Sequence, residues 1–247
     1  MPDKHTKAPE PHAERIHIDV GATAVSALLI APPGASACFV FAHGAGAGMT
    51  HPFMAATACG LAERGIATLR YQFPYMEKRT KRPDPPKVAH ATVRAAVAEA
   101  RRQLPKLPLI AGGKSFGGRM TSQAQALEPL GGVVGLAFFG FPLHPANRPS
   151  RERAAHLSGV NIPMLFLQGT RDALADLGEL KPVCDALGGR ATLKLFADAD
   201  HSFHVPARSG RKDPEVLAEV LDAMAEWIAR VSSPGAAARA LDTRPQT

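Results

Sequence analysis

The stretch LPLIAGGKSFGGRMTSQAQAL, residues 107–127, decides how the chain is read. Leu107 to Ala111 is a short apolar run, and Gly118 to Leu127 is compatible with a helix. Between them Gly113-Lys114-Ser115-Phe116-Gly117 has the form G-x-S-x-G, a sharp strand-to-helix turn with a serine at its apex. Such a turn strains the serine backbone and demands small neighbours. Gly113 and Gly117, flanked by Gly112 and Gly118, carry no Cβ, so the turn can tighten and the helix can pack closely on the sheet. Gly-Lys-Ser also ends phosphate-binding P-loops. That motif needs a glycine five positions before Gly113, where this chain has Pro108, and Leu109 to Ala111 still read as strand. A glycine-rich turn with an incidental serine would look the same in isolation, so the rest of the chain decides.

Around this turn, short apolar runs alternate with helix-compatible segments. Ile16 to Val20 and Val25 to Ala31 read as an antiparallel pair closed by Pro32-Pro33-Gly34. Strands are then expected at Cys38 to Ala42, Ile66 to Tyr71, Leu107 to Ala111, Val133 to Phe139, Ile162 to Leu167 and Thr192 to Phe196. Helices are expected from Thr50 or Pro52 to Arg64, from Pro86 to Leu104 (Val93, Val97, Ala100 and Leu104 on one face), after the serine turn, around Leu177 to Leu187, and from Asp213-Pro214 onward. The last carries a stripe of Val216, Val220, Met224, Trp227 and Val231. This alternation predicts an α/β fold: a mostly parallel central sheet with helices on both faces and an antiparallel pair at one edge. The connection from Gly140 to Gly159 has room for one short helix at most, so no large cap is expected. Residues 1–13 read as a polar, mobile arm, 14–231 as a single α/β domain, and 232–247 as a disordered tail.

Bulk properties exclude several classes. The 247 residues are 45% hydrophobic, enough for a real core, and carry a formal charge of +7. The densest basic cluster, Lys78, Arg79, Lys81, Arg82 and Lys87, is broken by Pro83, Pro85 and Pro86 and lacks interleaved aromatics. It reads as a solvated loop or an anion-attracting rim, and no nucleic-acid partner is expected. Three cysteines without paired spacing, a polar N-terminus and no apolar run of membrane-spanning length predict a soluble, cytoplasmic protein with no membrane partner. The sequence does not define an oligomeric state.

In such sheets functional loops lie beyond the carboxyl ends of the strands. Four strand exits here carry unusual residues: His43-Gly44-Ala45-Gly46-Ala47-Gly48, the Ser115 turn, Asp172 and His201. The chain order Ser, Asp, His is that of α/β-hydrolases. A serine hydroxyl needs an adjacent base at neutral pH. His201 is expected to take its proton, and Asp172 to hold the imidazole tautomer. The glycine-rich loop and the residue after the serine would supply an oxyanion hole from the N–H groups of Ala45 and Phe116. Asp176 is a substitute for Asp172 if its loop folds differently, while Asp200 is read as a loop residue. Asp198, Asp200, His201 and His204 match no zinc template, so no metal and no cofactor are expected. His43 and Gly44 are expected to shape the loop and contribute to substrate binding, His43 as a hydrogen-bonded loop residue and not as a base. Arg70 and Arg119 are either structural ion-pairing residues or contacts to an anionic substrate group. Lys114 is read as structural or rim. Surface or lining roles are expected for His144 and His156, and helix-surface positions for His51 and His90.

The set HGAGAG, RYQFPY, GGKSFGGRM, FFGFPLHP, LQGTRD and DADHSF resembles the α/β-hydrolase superfamily across nearly the whole chain. GKSFGGRM and FGFPLHP further resemble a small capless group that includes the testis-expressed hydrolase-like proteins and the hydrolase-like region of a nonspecific-lethal complex subunit. Dienelactone hydrolases, which use a cysteine at the turn, are more distantly similar. The resemblance implies the α/β-hydrolase fold and a Ser115–Asp172–His201 triad. It implies a serine hydrolase for a small-molecule ester or thioester, or a non-catalytic interaction module on the same fold. The absence of a lid-length insertion favours small or medium substrates.

Overall fold

The computed structural model describes residues 13–80 and 82–233. The arm before residue 13, Lys81 and the tail from 234 lie outside the described residues. Among the described residues eight strands form one sheet: β1 (Glu14–Val20), β2 (Thr23–Ile30), β3 (Ala37–Ala42), β4 (Ile66–Tyr71), β5 (Leu109–Lys114), β6 (Val133–Phe139), β7 (Met164–Gly169) and β8 (Ala191–Phe196). Six helices accompany them: α1 (Pro52–Glu63), α2 (Pro74–Glu77), α3 (Pro86–Gln103), α4 (Phe116–Leu127), α5 (Leu177–Leu187) and α6 (Asp213–Val231). The strand order is β1-β2-β4-β3-β5-β6-β7-β8. β1 and β2 run antiparallel, β2 meets β4 antiparallel, and every pair from β4 to β8 is parallel.

The parallel strands are apolar on both faces because helices cover both. All six residues of β3 are buried, as are all six of β4 and of β7. Cys38, Val40 and Ala42 of β3 pack into a layer with α3, α4 and α5, whereas Phe39 and Phe41 face α1 and α6. The helix stripes follow the expected period: Val93, Val97 and Ala100 are buried on α3, and Val216, Val220, Met224 and Trp227 on α6. Two expected members differ. Leu104 caps α3 instead of belonging to it, and Val231, at the last turn of α6, is only half-buried.

The connection from β6 to β7 holds one short 3-10 helix, Glu152–Gly159, and no cap. α2 follows β4 directly and starts at Pro74, whose fixed φ suits a first helical position. No helix among the described residues is long and apolar enough to cross a membrane. The three cysteines form no disulfide.

Trp227 locks α6 to the sheet. It is 2% exposed, and a Cβ on Gly135 of β6 would stand 2.6 Å from its ring. Trp227→Ala is expected to cost about 3–5 kcal/mol in urea denaturation, as for other large aromatic truncations in cores. A loss under about 1 kcal/mol would show that α6 is not part of the same cooperative core.

Candidate active site

β5 ends at Lys114 and α4 begins at Phe116, so Ser115 alone makes the turn. Its backbone sits at φ 50°, ψ −116°, a conformation costing a non-glycine residue on the order of 1–3 kcal/mol. Hydrogen bonds on both sides impose it: Ser115 N–H donates to Phe139 O at 3.1 Å, and Arg119 N–H donates to Ser115 O at 3.1 Å. The surrounding glycines are sterically required. A Cβ on Gly113 would lie 2.4 Å from Ala42 O, and one on Gly117 would lie 2.6 Å from the carbonyl oxygens of both Ala42 and His43. The end of β3 therefore runs against the turn.

The Asp172 and His201 loops are joined in the same way. A Cβ on Gly169 would lie 2.3 Å from Ala199 O and 2.6 Å from Asp200 O. Thr170 N–H donates to Phe196 O at 3.0 Å and Arg171 N–H to Ala199 O at 2.9 Å. This lacing brings His201 to the serine: its Nε2 stands 2.9 Å from Ser115 Oγ, and its Nδ1 stands 2.7 Å from Asp172 Oδ2. An acceptor carboxylate at Nδ1 places the proton there, so Nε2 carries the lone pair that faces the hydroxyl. Asp176 is committed elsewhere: it caps α5, and its Oδ1 accepts from Gly178 N–H at 2.8 Å. Asp200 folds into its own loop, where Oδ1 accepts from Ser202 N–H at 2.7 Å and His204 N–H at 3.0 Å. His204 pairs with Asp213 at 2.7 Å, which ties the loop to the start of α6.

Asp172 is itself held by residues that sequence reasoning passed over. Gln168 Nε2 donates to Asp172 Oδ2, and Gln168 Oε1 accepts from Phe141 N–H at 3.0 Å. Leu174 N–H donates to Asp172 Oδ1 at 2.8 Å. Of the surface and lining roles open to His144, its burial rules out the surface one. Its Nδ1–H donates to Pro145 O at 2.8 Å and its Nε2 accepts from Asp176 N–H at 2.8 Å, while its backbone N–H donates to Leu174 O at 3.0 Å. The FGFPLHP stretch thus braces the Asp172 loop. A glutamine at the end of an apolar strand was the available signal, because a fully buried amide must find partners.

The loop after β3 is held from beneath. His43 is fully buried and neutral: its Nδ1–H donates to Gly44 O at 2.7 Å and its Nε2 accepts from Phe73 N–H at 3.1 Å. Burial pushes its pKa down to about 4, opposed by the bond to Gly44 O. Gly46 N–H donates to Tyr75 Oη at 2.9 Å and Met49 N–H to Gln72 Oε1 at 2.8 Å. A Cβ on Gly44 would lie 3.9 Å from that of Ser115, so the loop passes directly over the turn.

Arg70 is buried, its Nη1–H donating to Met49 O at 3.4 Å while its Nε–H has no partner. Burial, eased by the nearby Cys59, lowers its pKa. Arg119 is half-buried on α4 facing the 3-10 helix Glu152–Gly159, with an unpartnered Nε–H; burial and then Arg153 lower its pKa. His156 accepts or donates at Ser122 Oγ, 2.7 Å away, and His90 bridges α3 to Gln123 of α4 at 3.2 Å. His51 caps α1, its Nδ1 accepting from Phe53 N–H at 3.2 Å. Of the basic cluster, Lys78, Arg79, Arg82 and Lys87 are exposed.

The His43 pKa makes a stability prediction. A folded-state value near 4, below the ordinary 6.5, means the unfolded chain takes up this proton first as pH falls. The stabilisation is complete above pH 6.5 and is lost between 6.5 and 4, by about 3 kcal/mol in full. Denaturation at pH 7 and pH 4.5 is expected to show a steeper loss in the wild type than in His43→Gln. Equal losses in the two proteins would contradict a buried neutral histidine.

Comparison with known proteins places this geometry in a family. A dienelactone hydrolase from Anabaena variabilis superposes with a TM-score of 0.71 at 21% identity, covering 90% of this chain and 98% of that one. An α/β serine hydrolase without a lid from Xanthomonas campestris gives 0.68 at 20% identity, covering 87% and 94%. The esterase domain of a Rhodothermus marinus protein gives 0.69 at 15% identity, covering 90% and 100%. At these identities the likeness is one of fold. The profile of the alpha/beta hydrolase domain family matches residues 35–229, a span that contains every strand from β3 to β8 and all four loops of the site, and the chain belongs to that family.

Proposed function

We propose that this protein is a serine hydrolase that cleaves small or medium ester or thioester substrates through a covalent acyl-enzyme on Ser115. The observation that carries the reading is the double engagement of one imidazole: His201 Nε2 2.9 Å from Ser115 Oγ, and Nδ1 2.7 Å from Asp172 Oδ2. Hydrogen-bond reach between nucleophile and base, with the base oriented by a third group, is what serine activation requires.

In the first half-reaction Ser115 Oγ forms a bond to the carbonyl carbon and its proton passes to His201 Nε2. The carbonyl π pair moves onto oxygen. Collapse of this tetrahedral species breaks the bond to the alcohol or thiol, which leaves with the proton from His201. In the second half-reaction water attacks the acyl-enzyme, again giving a proton to His201, and Ser115 regains it as the acid departs. Asp172 stabilises the imidazolium formed in each step, with Gln168 and Leu174 N–H fixing the carboxylate. The N–H groups of Ala45 and Phe116 receive the oxyanion. Phe116 N–H is at the first turn of α4, where helix N–H groups lack intrahelical acceptors and the dipole favours negative charge. His43 acts through Gly44, fixing the peptide before Ala45. The uncapped β6–β7 connection leaves the site open, which suits small or medium substrates, and exposed Lys78, Arg79, Arg82 and Lys87 on the segment after β4 would draw anionic ones toward it. Similarity to a lidless serine hydrolase and to an esterase domain favours the same chemistry. GKSFGGRM and FGFPLHP keep the narrower likeness to testis-expressed hydrolase-like proteins as part of the proposal.

A fluorophosphonate probe is expected to label the wild type and not Ser115→Ala, which should also lose hydrolysis of a short p-nitrophenyl ester. Ser115→Ala keeps a Cβ and hence the strained backbone, so its Tm should match the wild type, whereas Ser115→Gly should be stabilised by about 1 kcal/mol. Ester hydrolysis persisting in folded Ser115→Ala would sink the assignment.

A further inference from the structure

Lys114, the residue before the serine, is oriented unlike a rim lysine. Its side chain turns under the His201 loop, and its Nζ donates to the carbonyl oxygen of His201 itself. The ammonium lies 5.7 Å from the centroid of Phe203 and 5.9 Å from that of Phe53, two rings stacked 6.0 Å apart. On its other side is Gly140, at φ 65°. A Cβ there would lie 2.9 Å from Lys114 Nζ and 3.1 Å from His201 Nδ1, so the ammonium is no more than about 6 Å from that ring nitrogen. Only a glycine leaves room for the lysine and the histidine together.

We propose that Lys114 is a positioning residue for the proposed Ser115 chemistry: it clamps the His201 loop through the His201 carbonyl and so holds the imidazole in reach of Ser115 Oγ. The inference rests on the hydrolase reading above.

Burial disfavours the Lys114 ammonium and brings its pKa down to about 8, while Asp172, in the loop after β7, and Asp200, in the His201 loop, favour the charged form. A buried donor needs its acceptor, and here that acceptor is the carbonyl of the proposed base itself. The imidazole that reaches Ser115 Oγ is thereby fixed through its own backbone as well as through Asp172.

The test is the second-order rate of fluorophosphonate labelling at pH 7 in wild type, Lys114→Met and Lys114→Gln, each checked for folding by circular dichroism. This readout needs no knowledge of the natural substrate. In Lys114→Met the rate is expected to fall about tenfold or more. Lys114→Gln, neutral but still a donor to the His201 carbonyl, should recover part of that loss. A folded Lys114→Met that labels at the wild-type rate overturns the proposal, and so does a folded Lys114→Gln that labels no faster than Lys114→Met, because the rate would then not follow the donor. Failure of both variants to fold overturns it too, since the lysine would then be a residue of the core. A wild type that does not label at all removes the hydrolase reading itself, and this inference with it.

Discussion

Ala42 O, at the end of β3, stands where a Cβ of Gly113 or Gly117 would have to be, 2.4 and 2.6 Å away. The site depends on this exclusion. It lets the turn at Ser115 press against the neighbouring strand exit, so the loop carrying Gly44 and Ala45 crosses above the serine. A second exclusion of the same kind, Gly169 against Ala199 O and Asp200 O, draws the loops of Asp172 and His201 together. Side chains of small reach can meet from three strand ends, under the loop from a fourth, because the backbones meet first.

On that frame sits a continuous polar chain: Phe141 N–H to Gln168, Gln168 to Asp172, Asp172 to His201, His201 to Ser115. Each link fixes a lone pair or a proton that the next one needs. A half-satisfied network in a buried setting is costly, and a fully connected one specifies a single geometry. The β6–β7 connection serves this network through Gly140, Phe141 and His144, where a cap would otherwise be inserted. Strain at Ser115 is sustained because the carbonyls of Phe139 and Ser115 anchor the turn from both sides. Fold and site are thus coupled through the same backbone atoms.

Much of this was legible in the sequence because it rests on local rules. Apolar runs with flanking glycines marked the strands to within two residues at most ends, and the strict period on α6 identified Trp227. Ser115, Asp172 and His201 stood out as reactive side chains at strand exits. What stayed hidden depends on contacts between residues distant in sequence. Gln168 stood at the exit of an apolar strand with no sign of its partner Phe141, 27 positions back, and two of the partners of His144, Leu174 and Asp176, are 30 and 32 positions on. Lys114 could be read as rim or structural, and only the fold shows that its ammonium reaches the His201 carbonyl, 87 positions on. α2, four residues long, has no hydrophobic period to detect. Arg70 and Arg119 each combine burial with an unpartnered Nε–H, and spacing alone carries no sign of that.

The most direct measurement is a crystal structure of the protein after reaction with a phosphonate ester. The account predicts a phosphorus–oxygen bond at Ser115 Oγ, the phosphonyl oxygen within hydrogen-bond reach of Ala45 N–H and Phe116 N–H, and His201 Nε2 beside the leaving-group position. Phosphorus attached to any other residue, or a phosphonyl oxygen turned away from both N–H groups, would contradict it.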